Sequence, residues 1–162
     1  MMNWQPIKSY NREQMTHSFT NLHYHLVFSA QGFLPLINPE WEPRLHEYLG
    51  GAARGLKGTP IEINGMPDHV HLLIGLHQDM SVATFLEKLK SNSTGWVKRN
   101  FNSKFGWQTG YGAFSVSESR IEYVRRYIRN QKKHHSKMTF KEEFIALLKA
   151  HKIDFDPKFL FK

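Results

Sequence analysis

The stretch Gly65–Ile74, with the sequence GMPDHVHLLI, decides how this chain of 162 residues is expected to fold. Its first four residues have the composition of a tight turn, and the run that starts at His69 has the composition of a strand. Side chains alternate along a strand, so His69 and His71 share one face while the apolar residues between and after them share the other. The apolar face is expected to cover the core. The two imidazoles therefore lie together on the opposite face.

Patterns on either side of this strand predict the remaining elements. Strands are predicted over 19–30, 59–64, 69–76 and 111–117. Helices are predicted to open at Asn38-Pro39-Glu40, at Ser81, at about Glu118 and at the capping box Thr139-Phe140-Lys141-Glu142. The third of these helices is expected to continue to about residue 135.

The order strand, helix, strand, strand, helix, strand is the split βαβ, ferredoxin-like (RRM-like) plan, here with added C-terminal helices. We therefore predict an α+β fold with an antiparallel sheet. Two helices cover one face, and the other face is open to a ligand or to the added helices. A single domain is expected over 19–162, preceded by a loose N-terminal arm over 1–18.

Composition narrows the classes of function. The 22 Lys and Arg exceed the 14 Asp and Glu by eight, and aromatic residues make up 14% of the chain. This balance favours a polyanionic partner, with nucleic acid first. The absence of cysteine excludes a disulfide scaffold, a thiolate zinc site and a cysteine nucleophile. With no run near the ~20 apolar residues of a membrane helix and no signal-peptide core, we expect a soluble intracellular protein.

The paired histidines are a candidate metal site. Two neighbouring imidazoles on one strand face supply two of the ligands that a divalent ion needs. The alternative is a pair of surface or hydrogen-bonded histidines, which is common in a chain that has ten. A third ligand is needed to favour the metal site.

The third predicted helix offers both that ligand and a nucleophile. Tyr127 and Gln131 are spaced i, i+4 and so project side by side. The amide oxygen of Gln131 would complete three-point coordination with the two imidazoles, and the phenol would lie next to the ion. Tyr127 as a half-buried aromatic with a satisfied hydroxyl is the alternative. Tyr123, one turn earlier, is a rival nucleophile that spacing leaves open.

Four motifs together resemble a known family. YHLVF at 24–28, GMPDHVH at 65–71, Trp107 with GYGAFS at 110–115, and Tyr-Ile-x-Asn-Gln at 127–131 occur in its order and at its approximate separations. The chain thus resembles the single-tyrosine HUH transposases of small bacterial insertion sequences (IS200-like transposases). The resemblance implies metal ligands at His69, His71 and Gln131 and a nucleophile at Tyr127.

The resemblance also implies an activity and its partners. Such a transposase binds the hairpin ends of an insertion sequence as single-stranded DNA, and it cleaves and rejoins strands through a 5′-phosphotyrosine. It works as a homodimer, in which the tyrosine helix of one subunit can complete the metal site of the other. The expected ion is Mg²⁺ or Mn²⁺, and imidazole ligands favour Mn²⁺. The expected location is the bacterial cytoplasm, at the nucleoid.

Helix face and charge suggest which cations contact the DNA phosphates. These candidates are Lys88, Lys90, Arg125, Arg126, Arg129 and Lys132.

Two other functions are compatible with the sequence. One is an RRM-like module that binds single-stranded nucleic acid without cutting it, although such modules usually place stacking aromatics where this chain has imidazoles. The other is a domesticated relative that nicks host repeats by the same chemistry.

Overall fold

The computed structural model describes residues 18–162, so only Ser18 of the predicted arm over 1–18 lies within the described part. One four-stranded antiparallel sheet forms the centre, in the order β2-β3-β1-β4. Its strands are β1 (His23–Ser29), β2 (Gly58–Met66), β3 (His69–Leu76) and β4 (Gly112–Val116). This topology confirms the predicted ferredoxin-like α+β fold.

Two helices connect the strands and four more follow β4 among the described residues. They are α1 (Glu42–Gly55), α2 (Val82–Asn100), α3 (Ile121–Arg129), α4 (Gln131–His134), α5 (Phe140–Ala150) and α6 (Pro157–Leu160). Side chains cap two of them as predicted. Ser81 Oγ accepts from the amide of Thr84 at the start of α2, and Thr139 forms the capping box of α5. No described helix has both the length and the apolar character that a bilayer crossing requires.

The two faces of β3 divide as the alternation predicts. Val70, Leu72 and Ile74 are fully buried in the main core, between the sheet and the helices α1 and α2. The helices contribute Leu45, Leu49, Phe85, Leu86 and Leu89 to this core. Burying a side chain of this size contributes about 1.5–3 kcal/mol. The core therefore fixes the register of β3 and with it the direction of both imidazoles.

The opposite face of the sheet is covered by the C-terminal helices. Leu73 packs with Val116 of β4 and Ile128 of α3 in one cluster, and Val27 packs with Phe114 and residues of α5 in another. His69 and His71 lie between these clusters with no solvent exposure. Of the two uses predicted for this face, the structure shows cover by the added helices.

The third helix differs from its prediction. A continuous helix was expected over 118–135, but a 3-10 turn precedes α3, and the helix is interrupted at Asn130 before α4. The Asn64 side chain of β2 explains the break, because its amide donates to the carbonyls of Ile128 and Arg129, at 3.0 Å each. These carbonyls at the end of α3 are thus satisfied by the sheet, which anchors the tyrosine helix to β2.

Candidate active site

Both histidines of β3 direct one nitrogen toward the buried space between the sheet and the C-terminal helices. His69 Nδ1 lies 2.6 Å from the Asp68 carboxylate, in the turn that precedes the strand. His71 Nδ1 lies 2.8 Å from Nε2 of His25 on the adjacent strand β1. The Nε2 atoms of both rings therefore point toward the same space.

Glu143 of α5 occupies that space. Its side chain is 1% exposed, and its Oε1 lies 2.8 Å from Nε2 of His71 and 3.4 Å from Nε2 of His69. His135, which follows α4, places its Nε2 3.0 Å from the same oxygen. A carboxylate this deeply buried must be paired to be tolerated, and the imidazoles provide the pairing.

The electrostatics of this cluster follow from burial and from the Glu143 charge. Burial alone would raise the pKa of the Glu143 carboxyl, but the adjacent imidazoles of His135, His69 and His71 hold that pKa well below its usual range. Burial lowers the pKa of His71 from 6.5 to about 4, despite the opposing effect of Glu143. His71 is therefore neutral at pH 7, so its Nε2–H donates to Glu143 and its Nδ1 accepts from His25.

The pKa of His69 is shifted in the opposite direction. Burial by itself would lower its pKa, but hydrogen bonds and the charges of Asp68 and Glu143 raise the pKa above its usual value. A protonated His69 can donate from Nδ1 to Asp68 and from Nε2 to the Oε1 atom of Gln131, 3.1 Å away. The same nitrogen would carry an ion instead of a proton when a metal binds.

Gln131 and Tyr127 reach the cluster from the tyrosine helix. Gln131 is fully buried, and its amide donates to Glu143 Oε2 at 3.0 Å. The hydroxyl of Tyr127 donates to the same oxygen. Burial and the Glu143 charge raise the pKa of Tyr127, so the phenol stays protonated in this arrangement. All four predicted residues of the centre thus converge within one chain.

The rival tyrosine lies elsewhere. Tyr123 is 53% exposed, and the Arg120 guanidinium lies 4.1 Å from the centre of its ring. The structure therefore brings Tyr127, and not Tyr123, to the histidines.

Sequence reasoning missed two members of this cluster, His135 and Glu143. His135 continues the i, i+4 series of Tyr127 and Gln131, and this spacing was a usable signal. Glu143 had no local signal, because it comes from a separate helix. Donor atoms of His69, His71, His135 and Glu143 all lie within 4.8 Å of one another. Three imidazole nitrogens and a carboxylate oxygen suit a first-row divalent ion, so this cluster could hold a metal.

The six cations predicted to contact DNA lie on two opposite sides of the sheet. Lys88 and Lys90 are on α2, which packs on the face of the sheet opposite the histidines. Lys88 is exposed, and the Nζ atom of Lys90 donates to the carbonyls of Gln108 and Gly110, at 2.7 and 2.8 Å.

The other four cations follow the tyrosine helix. Arg125 and Arg129 pair with Glu62 of β2, at 3.2 and 3.0 Å. Lys132 pairs with Glu42 of α1. Arg126 is exposed and forms no ion pair within residues 18–162. The contact of all six cations with DNA stays a prediction.

A ferredoxin-like sheet with paired histidines on a central strand and a helix tyrosine at the same pocket defines the class of HUH proteins. Residues 18–131 match the family model described as "Transposase IS200 like", and the chain belongs to this family. It is accordingly a transposase, a DNA-binding enzyme of the class that cleaves and transfers DNA strands.

Individual relatives agree with this assignment. The ISDra2 transposase TnpA of Deinococcus radiodurans is 28% identical over 68% of this chain and 84% of that protein. A crystal structure of a transposase from Deinococcus radiodurans R1 shares the fold, with a TM-score of 0.60 and 24% identity over 73% of this chain and 96% of that one. A REP-associated tyrosine transposase bound to a REP hairpin also shares it, with a TM-score of 0.54 and 13% identity over 80% and 74% of the two chains.

Proposed function

We propose that this transposase cleaves and rejoins single-stranded DNA at the hairpin ends of an insertion sequence, with the Tyr127 hydroxyl as the nucleophile. One observation carries the proposal: Tyr127, Gln131, His69 and His71 converge on one buried carboxylate within a single chain. Recognition of DNA hairpins is supported by the structural relative that is bound to a REP hairpin.

The residues fit a divalent ion at this centre. His69, His71 and Gln131 would hold Mg²⁺ or Mn²⁺, which would polarise the scissile phosphate and offset the charge of the transition state. The imidazole nitrogens favour Mn²⁺ over Mg²⁺, because Mg²⁺ prefers oxygen ligands.

The covalent step is a transesterification. The Tyr127 oxygen forms a bond to phosphorus, the bond from phosphorus to the 3′ oxygen breaks, and that oxygen leaves as a 3′-hydroxyl. The phenolic proton leaves along the hydrogen bond to Glu143 Oε2 and ends on the departing 3′ oxygen. The resulting 5′-phosphotyrosine conserves the energy of the phosphodiester, so attack by another 3′-hydroxyl rejoins strands without ATP.

The environment of Tyr127 keeps its phenol protonated in the DNA-free chain. A phenol with a raised pKa next to a carboxylate is a poor nucleophile. Cationic side chains that follow the tyrosine helix, such as Arg126, would hold the DNA phosphates near the phenol. The predicted homodimer is compatible with a site assembled within each chain, so we propose that Tyr127 acts on DNA bound at the histidines of its own subunit.

A gel assay tests the nucleophile. Labelled single strands that carry a hairpin are incubated with Mn²⁺ or Mg²⁺ and wild type, Tyr127→Phe or the matched control Tyr123→Phe. We expect a covalent protein–DNA adduct with wild type and Tyr123→Phe and none with Tyr127→Phe. Binding without any adduct in wild type would instead favour an RRM-like module that does not cut.

A further inference from the structure

Beyond the residues that match the family, two buried groups face the same centre. The family match ends at residue 131, whereas His135 and Glu143 lie after it. We propose that Nε2 of His135 and Oε1 of Glu143 are protein ligands of the ion, together with His69 and His71, and that Glu143 holds the Tyr127 hydroxyl through its other oxygen. This inference deepens the proposed function, because it concerns the same ion.

The geometry of His135 is the first argument. Its Nδ1 lies 2.7 Å from the Met138 carbonyl, which can only accept a hydrogen bond, so this nitrogen carries the hydrogen. The lone pair is then on Nε2, which is buried and has no hydrogen-bond partner among the described residues. That atom lies 3.0 Å from Glu143 Oε1, which is itself an acceptor. At this distance either a proton on Nε2 or a metal ion must lie between the two atoms, and the position of His69 and His71 at the same oxygen favours the ion.

The second argument is that the Nδ1 atom of each of the three imidazole rings lies next to a polar group of the protein. Ligand histidines typically have the remote nitrogen held by a carboxylate, a carbonyl or another polar group. Here Asp68 lies 2.6 Å from Nδ1 of His69, and the Met138 carbonyl lies 2.7 Å from Nδ1 of His135. Nδ1 of His71 lies 2.8 Å from Nε2 of His25 and would donate to it once an ion replaced the proton on Nε2 of His71. All three rings therefore present Nε2 to the same point, in the arrangement of a metal centre.

The third argument is that the two oxygens of the Glu143 carboxylate contact different groups. Its Oε1 is the oxygen within 3.4 Å of the Nε2 atoms of His69, His71 and His135. Its Oε2 accepts from Tyr127 and Gln131 and lies 3.2 Å from Nε2 of His134. One carboxylate thus joins the ion site to the nucleophile. A set of three nitrogens and one oxygen would favour Mn²⁺, Co²⁺ or Zn²⁺ over Mg²⁺.

Cobalt binding tests the proposal without reference to activity. The full chain is stripped with EDTA and titrated with Co²⁺, and the visible absorption band and the affinity are recorded for wild type, Glu143→Gln and His135→Gln. The matched controls are Glu142→Gln, the exposed neighbour on α5, and His77→Gln, an exposed histidine far from the site. We expect one Co²⁺ per wild-type chain, a loss of affinity of at least ~10-fold with a changed band in each test variant, and no change in the controls.

The alternative results are equally clear. Wild-type affinity and an unchanged band in both test variants would overturn the proposal and leave the ion to His69, His71 and Gln131. If Glu143→Gln does not fold, as judged by urea unfolding in EDTA, His135→Gln alone decides. The proposed function fails separately: Co²⁺ binding with no DNA adduct would contradict the tyrosine chemistry and leave the ligand set in place.

Discussion

The anchoring of the tyrosine helix by Asn64 gives a prediction that combines stability with function. Asn64→Ala removes two hydrogen bonds, to the carbonyls of Ile128 and Arg129, at 3.0 Å each. A hydrogen bond contributes a net ~1 kcal/mol, so the free energy of unfolding should fall by about 2 kcal/mol. For a chain of this size this corresponds to a Tm lower by about 4–8 °C. The rate of adduct formation should also fall, because α3 carries Tyr127 and its end sets the position of Gln131.

Urea unfolding and the adduct assay measure both effects. The matched control is Asn92→Ala, because Asn92 is exposed on α2 and its side chain makes no hydrogen bond within the described residues. We expect this control to retain wild-type stability and activity. A loss below about 0.5 kcal/mol for Asn64→Ala, with an unchanged adduct rate, would refute the anchoring.

Three further predictions test the assembly, the electrostatics and the packing of the site. A mixture of Tyr127→Phe and His71→Ala proteins should form no adduct, because each chain supplies its own site; an active mixture would show that subunits share sites. Without metal, lowering the pH from about 6.5 to about 4 should reduce the free energy of unfolding by up to about 3 kcal/mol, because the unfolded chain binds the proton that His71 excludes. Urea unfolding of His71→Gln should show a free energy of unfolding that depends less steeply on pH. The same pH dependence in wild type and variant would contradict the low pKa of His71. Gly65→Ala should destabilise the fold by about 3 kcal/mol, because the added Cβ would lie 2.2 Å from the His69 carbonyl oxygen. Gly51→Ala is the control: its Cβ would have no atom within 4 Å, so a thermal melt should show an unchanged or higher Tm. Equal Tm values for the two variants would contradict this packing.

Local sequence patterns were sufficient to predict the four strands of the sheet and the two faces of β3. The alternation that starts at His69 separates the imidazoles from the apolar residues because a strand has a period of two. The capping residues Ser81 and Thr139 also act locally, since each bonds an amide three residues away. These features depend on neighbours in the sequence, and the sequence therefore predicts them.

The features that the sequence could not predict depend on distant contacts. Asn130 interrupts a helix whose periodicity continues, because Asn64 binds the end of α3 from a strand 64 residues earlier. Glu143 meets His71 across 72 residues, and its own helix has no feature that indicates a buried acid. Long-range contacts of this kind decide which elements cover the histidine face of the sheet.

The most direct test of the account identifies the residue that becomes linked to DNA. Trypsin cleaves after Arg125, Arg126 and Arg129, so Tyr127 and Tyr123 fall in different peptides. Mass spectrometry of the digested adduct should find the nucleotide, attached through its 5′ phosphate, on the peptide that contains Tyr127. A nucleotide on the Tyr123 peptide, or attached through a 3′ phosphate, would contradict the account.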